Sequence, residues 1–160
     1  MIEWLTGTTF GKFISTFFIS MVPVVELRAG LPYGIALGLA YPLALTAAVV
    51  GNMLPVPFII VYVRQLFEWL RRHWAKLDGM ISRLENRAGV KSETVLRYGS
   101  WGLLLLVAIP LPGTGAWTGA LVATLLNIRM RVALPAILLG VLIAGGITLA
   151  VSCGVIHLWF

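Results

Sequence analysis

Two charged side chains, Glu26 and Arg28, interrupt an otherwise apolar stretch of this 160-residue chain, inside the segment Pro23–Pro32. A carboxylate in apolar surroundings can accept a proton or a cation, and a guanidinium can bind an anionic group. An uncompensated charge at the centre of a bilayer costs about 2.5–3.5 kcal/mol, so such groups need a partner or a water-filled cavity. We therefore predict that Glu26 and Arg28 bind substrate or an ion. The alternative is a structural ion pair that holds the segment together.

A second segment that could do chemistry is uncharged and contains Gly113, Thr114 and Gly115. Its glycines expose backbone N–H groups where a new helix is expected to begin, and a helix N-terminus favours anions. The hydroxyls of Thr114 and Thr118 add further hydrogen-bonding groups. The alternative interpretation is close helix packing through Gly115 and Gly119.

The polar residue Asn52 stands in an apolar run just before Pro55 and Pro57. It could line a path for substrate or ions, and a simple hydrogen bond between helices is an equally good interpretation. The sequence contains no Ser-His-Asp set, HExxH, Walker loop or CxxC pattern. We therefore expect no enzyme activity, no catalytic residues, no cofactor and no metal.

The composition determines the class of protein that must position these residues. Apolar residues make up 59% of the chain, charged residues only 11%, and the mean hydropathy is +0.96. Soluble domains average about 45–50% apolar and about 25% charged residues. The sequence therefore predicts an all-α integral membrane protein with a single membrane domain over residues 1–160. It excludes soluble enzymes, disulfide scaffolds and disordered tails.

The apolar blocks have unequal lengths, and the lengths predict how each block meets the membrane. Two limbs of 13 residues precede an uncharged run of 21 residues, and limbs of 14 and 13 residues precede a second run of 21. A limb this short reaches about 20 Å, whereas the hydrocarbon core is about 30 Å thick. These lengths therefore predict that each half is a re-entrant helical hairpin followed by one transmembrane helix. The predicted halves are residues 8–63 and 98–155.

The charges orient these halves. Ten of the twelve Lys and Arg residues lie in residues 64–97 or at Arg129 and Arg131. Because basic residues stay on the cytoplasmic side, we expect these segments inside a cell membrane that the chain crosses more than once, with both termini outside. The halves are then inverted repeats, joined by a cytoplasmic amphipathic helix within residues 64–97. This distribution also argues against nucleic acid as a partner.

A ladder of small residues, Gly30, Gly34 and Gly38, is typical of close helix packing and has a counterpart that includes Gly119. Two spans and two hairpins offer little material to enclose a transport path. We therefore expect a homodimer, with this ladder as one interface for it.

The two motifs together resemble the small multidrug export protein family, over nearly the whole chain. The carriers of the resemblance are Glu26-x-Arg28 with its flanking prolines and the run from Pro110 to Trp117. The resemblance implies export of small molecules. The family is regarded as a distant relative of the DedA/VTT superfamily, which implies two re-entrant hairpins and associates the fold with phosphate-headed lipids.

Three functions follow as expectations. The first is a small transporter or exporter, coupled to protons or cations through Glu26. The second is a DedA-like translocase or scramblase for polyprenyl phosphate or phospholipid, in which Arg28 contacts the headgroup. The third is a membrane scaffold that recruits a partner through residues 64–97. In the first two, the partners are the lipid bilayer and a small-molecule or anionic lipid substrate.

Overall fold

The computed structural model describes residues 7–73, 99–109 and 114–159, and the elements in these ranges are all helices, as predicted. The first half contains α1 (Thr9–Met21), α2 (Glu26–Ala36), α3 (Tyr41–Met53) and α4 (Pro55–His73). The second half contains α5 (Gly99–Ala108), α6 (Ala116–Leu125) and α7 (Met130–Trp159).

Two stretches are long and apolar enough to cross a membrane. They are Tyr41–Leu66, with a mean hydropathy of 2.0, and Met130–Gly154, with 2.4. The first stretch consists of α3 and the first part of α4, which are joined end to end at Leu54. Leu54 keeps helical backbone angles and donates its N–H to the carbonyl of Val50. Pro55 then begins α4, a position where the missing proline N–H costs nothing. The Asn52–Pro57 region is therefore a joint within one span.

Helix α4 continues through His73 and so includes the first residues of the predicted connector at 64–97. Residues 74–98 lie outside the described part of the chain. The predicted boundary between span and connector therefore falls within a continuous helix.

Within the first hairpin, α1 packs closely against α2 at two glycines of α2, where no space remains for a side chain. A Cβ atom at Gly30 would collide with the hydroxyl of Ser20, and one at Gly34 would lie 2.6 Å from the hydroxyl of Thr16. Both hydroxyls donate to carbonyls one turn earlier in α1, so the close contact buries no unsatisfied donor. The predicted ladder at Gly30 and Gly34 thus packs within the chain.

The two long apolar stretches run antiparallel. At one end, Arg64 of α4 donates from Nη2 to the carbonyl of Ile128, just before α7, over 3.4 Å. Towards the other end, a Cβ at Gly145 of α7 would lie 2.8 Å from the side chain of Leu45 in α3. The first stretch therefore ends where the second begins.

The two halves also correspond at a constant spacing of 89 residues. This spacing separates Tyr41 from Met130, where the long stretches begin, and Gly38 from Asn127, which both have positive φ angles, of 77° and 54°. Both short helices α2 and α6 end in the same hydrogen-bonding pattern, in which the residue after the left-handed one donates its N–H five residues back. This spacing pairs Gly30 of the predicted ladder with Gly119 of its counterpart.

The hairpins and the long stretches share one apolar core. Its largest fully buried side chains come from α2, α4, α5 and α7, and small alanines fill the contacts between them. The large members are Leu27, Leu31, Val56, Ile60, Val107, Ile137 and Val141. This core holds the N-terminal ends of α2 and α6 beside each other.

Gly51 of α3 gives a direct test of this packing, because a Cβ there would collide with the backbone carbonyl of Phe17 in α1. We expect Gly51→Ala to destabilise the protein by about 1–3 kcal/mol, since backbone atoms cannot move aside. The measurement is the unfolding temperature of the detergent-solubilised protein. The matched control is Gly146→Ala in α7, where a Cβ meets nothing within 4 Å. Equal unfolding temperatures for the two variants would contradict this packing.

Candidate functional site

The tip of the first hairpin is a four-residue turn, Val22–Val25, between α1 and α2. The sequence analysis placed Glu26 and Arg28 within the segment Pro23–Pro32, and the structure places both residues in the first turn of α2. The reversal of the chain is made by Pro23 and by Val24, whose φ is 78°. A β-branched residue rarely adopts this conformation, and Glu26 follows with a φ of 48°, so the tip stores backbone strain.

The carboxylate of Glu26 caps the N-terminus of α6 in the second hairpin. Helix α6 has Gly115 as its N-cap residue and receives no hydrogen bond from a side chain of its own cap. Oε1 of Glu26 accepts a hydrogen bond from the backbone N–H of Trp117 over 3.3 Å, and the amide of Ala116 also interacts with this carboxylate. Glu26 therefore supplies the anion that the sequence predicted at this helix N-terminus, where it satisfies N–H groups that lack intrahelical partners.

Gly115 makes this contact possible. A Cβ atom at residue 115 would collide with Oε2 of Glu26, so only glycine lets the carboxylate reach the helix end. Gly115 is in extended backbone, with φ at 168°, and its role is therefore steric.

Arg28 makes the complementary contact with the end of α5. Its Nη2 donates to the backbone carbonyl and the hydroxyl of Thr114, the latter over 2.9 Å, and to the carbonyl of Ile109 over 3.3 Å. The Thr114 hydroxyl in turn donates to the Ile109 carbonyl over 2.8 Å. Because Ile109 directly follows α5, its carbonyl belongs to the electronegative end of that helix, where a cation is favoured.

The two charges of the first hairpin thus complement both helix ends in the second. The negative Glu26 meets the start of α6, and the positive Arg28 meets the end of α5. We call these contacts of Glu26 and Arg28 with residues 109 and 114–117 the tip contact. Both side chains of the first hairpin contact the second hairpin. These contacts are more than the structural ion pair within one segment that the sequence left as the alternative.

The other predicted site residues are distributed as follows. Asn52 lies beside Glu26 and is 3% exposed, Thr114 and Gly115 belong to the tip contact, and Thr118 is half-buried on α6. Gly113 lies outside the described residues. Of the predicted packing residues, Gly38 ends α2 in a left-handed conformation, and a Cβ at Gly119 would lie 2.6 Å from the side chain of Val107.

Sequence reasoning missed Ile109 and Trp117, which contribute a backbone carbonyl and a backbone amide. Their side-chain types carry no signal for these roles. One signal was available, because a break between two helices exposes carbonyl groups at the end of one helix and N–H groups at the start of the next. The sequence analysis considered only the N–H groups.

A small cavity adjoins the tip contact. Its polar lining comes from Glu26, Arg28, Asn52 and Gly115, and apolar side chains of α5 and α7 close the remainder. The cavity measures about 10 Å³, which is room for about one water molecule. Among the described residues, no three His, Cys, Asp or Glu side chains are grouped to hold a metal ion.

Comparison with known families identifies the chain. The family described as "Putative small multi-drug export protein" matches residues 26–147. The chain belongs to this family. The match begins at Glu26, directly after the turn at the first hairpin tip, and it includes the whole tip contact and most of α7. No curated protein and no solved structure matches the chain.

The family and the two long apolar stretches make this a membrane protein. The short helices around the tip contact, of 10 to 13 residues, are apolar as well. The chain therefore buries the charged Glu26 against one of its own helix ends and places the half-buried Arg28 against another.

The steric relation between residues 26 and 115 predicts a rescue. We expect Gly115→Ala to lower the unfolding temperature of the family member in detergent, because the new methyl group displaces the carboxylate from the start of α6. In a Glu26→Ala background the same substitution should cost much less, since the colliding atoms are gone. Gly119→Ala is the control, because its neighbour is Val107 and Glu26→Ala should not rescue it. Equal effects of Gly115→Ala in both backgrounds would refute the contact.

Proposed function

We propose that this member of the small multi-drug export family is a membrane transporter that moves a small molecule, coupled to a proton or another cation through Glu26. The observation that supports this most directly is the position of the Glu26 carboxylate. It is 6% exposed, it lies where the two hairpin tips meet, and it caps a helix of the other hairpin. Binding of a cation at this point acts on the contact between the hairpins.

The coupling follows from the charge of the carboxylate. Hydrogen bonds from N–H groups to an ionised carboxylate are about twice as strong as those to a neutral group. The ionised Glu26 holds the start of α6 against α2. Neutralisation by a proton or another cation weakens this hold, so the tips can separate and the strained turn at Val24 can relax. The hydrogen bonds of Arg28 to Thr114 and Ile109 keep the second hairpin in contact with the first while Glu26 changes its charge.

We also propose that the two halves are inverted repeats with re-entrant hairpins. Antiparallel long stretches, helix ends at a constant spacing of 89 residues and equal C-terminal patterns on α2 and α6 support this relation. At about 1.5 Å per residue, the hairpin helices reach about 15–20 Å, which is too short to cross. The first hairpin then enters from outside and the second from the cytoplasm, where Arg129 and Arg131 lie.

A homodimer stays part of the proposal, because the cavity beside the tip contact has room for only about one water molecule. Its interface must lie away from Gly30 and Gly34, since both already pack against α1 of the same chain. The exposed apolar faces of α4 and α7 are available for it.

Val24, at the tip of the first hairpin and 96% exposed, tests re-entrance. In a Cys153→Ser background we expect a membrane-impermeant maleimide to label Ala40→Cys from the outside. Val24→Cys should be labelled from neither side of intact membranes and only after denaturation, because its thiol lies within the hydrocarbon. Labelling of Val24→Cys from the side opposite Ala40→Cys would show that the hairpin crosses completely.

The Glu26→Gln variant tests coupling. We reconstitute the protein in liposomes and measure ethidium flux and internal pH under an imposed proton gradient. Glu26→Gln keeps the shape but cannot change its charge, so we expect at least a tenfold loss of the gradient-dependent flux. The matched control is Glu68→Gln, which removes an exposed carboxylate from α4. Undiminished gradient-dependent flux in Glu26→Gln would disprove the coupling.

The same vesicles test the lipid alternative, in which Arg28 contacts a phosphate headgroup. A phosphate would have to displace the contacts of Nη2 with Thr114 and Ile109. The assay follows leaflet accessibility of labelled phospholipid and polyprenyl phosphate. Transbilayer movement of either lipid without ethidium flux would replace the transporter proposal with lipid translocation.

A further inference from the structure

Asn52 has a buried oxygen atom that the fold leaves without a hydrogen bond. The residue lies near the end of α3 and is 3% exposed, and its Oδ1 has no hydrogen-bond partner. A buried polar group without a partner costs about 1–3 kcal/mol. Gly51 next to it packs against α1, so the helix cannot rotate to bring Asn52 to the surface. The position of this amide therefore requires an explanation.

The explanation lies in the cavity beside the tip contact, because Asn52 and Glu26 line the same small space. The carboxylate of Glu26 accepts hydrogen bonds from α6, yet a carboxylate has about four lone-pair sites, so acceptor capacity remains. Asn52 Oδ1 is also an acceptor. An occupant that satisfies both must donate two hydrogen bonds and must fit a space of about 10 Å³. Water and hydronium meet both requirements.

A metal cation fits this space less well. Hard cations take about six oxygen ligands, whereas the side chains that line this cavity carry oxygen atoms on only one carboxylate and one amide. A proton needs no coordination shell of its own, because it travels on the water molecule.

We propose that Asn52 holds a single water molecule against Glu26, that this water delivers and removes the proton of the carboxylate, and that the coupling ion is therefore a proton. This rests on the proposed function and names its ion. In the step, hydronium in the cavity transfers one proton to a carboxylate oxygen of Glu26 and remains as water. The reverse transfer restores the carboxylate. Asn52 is a positioning residue, since it acts through the water.

The charged surroundings of Glu26 are simple within the described residues. On its own helix, Arg28 acts on it electrostatically. From α6 it meets backbone amides, from α3 the neutral amide of Asn52, and from α5 and α7 apolar side chains. The proton affinity of Glu26 should therefore respond measurably to a change at Asn52.

Infrared difference spectroscopy on the purified full-length protein tests the site without transport. The protonated Glu26 gives a C=O stretch that titrates with pH and is absent from Glu26→Gln. In Asn52→Leu, which replaces the amide with an apolar side chain of similar size, this band should move to higher wavenumber, because the acid loses a hydrogen bond. The carboxylate should also bind its proton about tenfold more tightly, since the ionised form loses a donor. An H₂¹⁸O-sensitive O–H band should disappear with it.

Two comparisons make the result decisive. Thr124→Val removes a buried hydroxyl that is already bonded to the carbonyl of Ala120, and it should leave the C=O band and its pH midpoint unchanged. Replacing KCl with NaCl should also leave the midpoint unchanged. If Asn52→Leu does not fold, Asn52→Ser replaces it. This variant retains a shorter acceptor, so its pH midpoint should move from the wild-type value in the same direction but by less than tenfold in proton affinity.

Two results would overturn the proposal. A band and midpoint in Asn52→Leu identical to wild type would show that Asn52 does not act on Glu26. A midpoint that depends on sodium would show that a metal cation occupies the cavity. Normal titration at the site together with absent ethidium flux would refute the transporter function alone, so the two failures are distinguishable.

Discussion

The contact between the Glu26 carboxylate and the start of α6 is the interaction on which the arrangement of the two hairpins depends. A hairpin with a broken helix exposes N–H groups at one helix end and carbonyls at the other, and lipid can satisfy neither. In the second hairpin, these groups are bound by side chains of the first hairpin. Glu26 accepts from an N–H group at the start of α6, and Arg28 donates to a carbonyl at the end of α5. In return, the helix ends stabilise two charges that would be costly at the membrane depth that we propose for the hairpin tips.

The spacing of 89 residues gives this contact a geometric origin, because it pairs Glu26 with Gly115, the two residues that touch. Where equivalent positions of two halves meet, there is space for one side chain, and the other position must be glycine. In the repeat that we propose, the two halves share a framework but differ in charge at their meeting point. A single carboxylate at this point gives the chain one group whose ionisation can alter the fit of the two halves.

In the proposed mechanism, the cavity beside the tip contact connects this framework to transport. Its size suits water, and its two acceptors suit a molecule that carries protons. A drug-sized substrate must find its path through a larger opening, which separation of the hairpins or a second copy of the chain would provide. The chemistry of the coupling ion and the path of the substrate are thus separate parts of the proposed mechanism. Glu26 connects them, because it binds the proton and its charge holds the two hairpins together.

Composition and pattern alone determined the membrane class, the helices and the two pairs of short limbs, because apolar run lengths and sparse charges report directly on the solvent. They also singled out Glu26, Arg28, Asn52 and the glycine-containing break. Only the tertiary structure decided that the turn lies at Val22–Val25, that Glu26 itself is the anion at α6, and that Asn52 joins it at one cavity. The physical reason is that helix ends offer backbone groups, which carry no signal in side-chain identity, and their partners lie about 90 residues away in the chain.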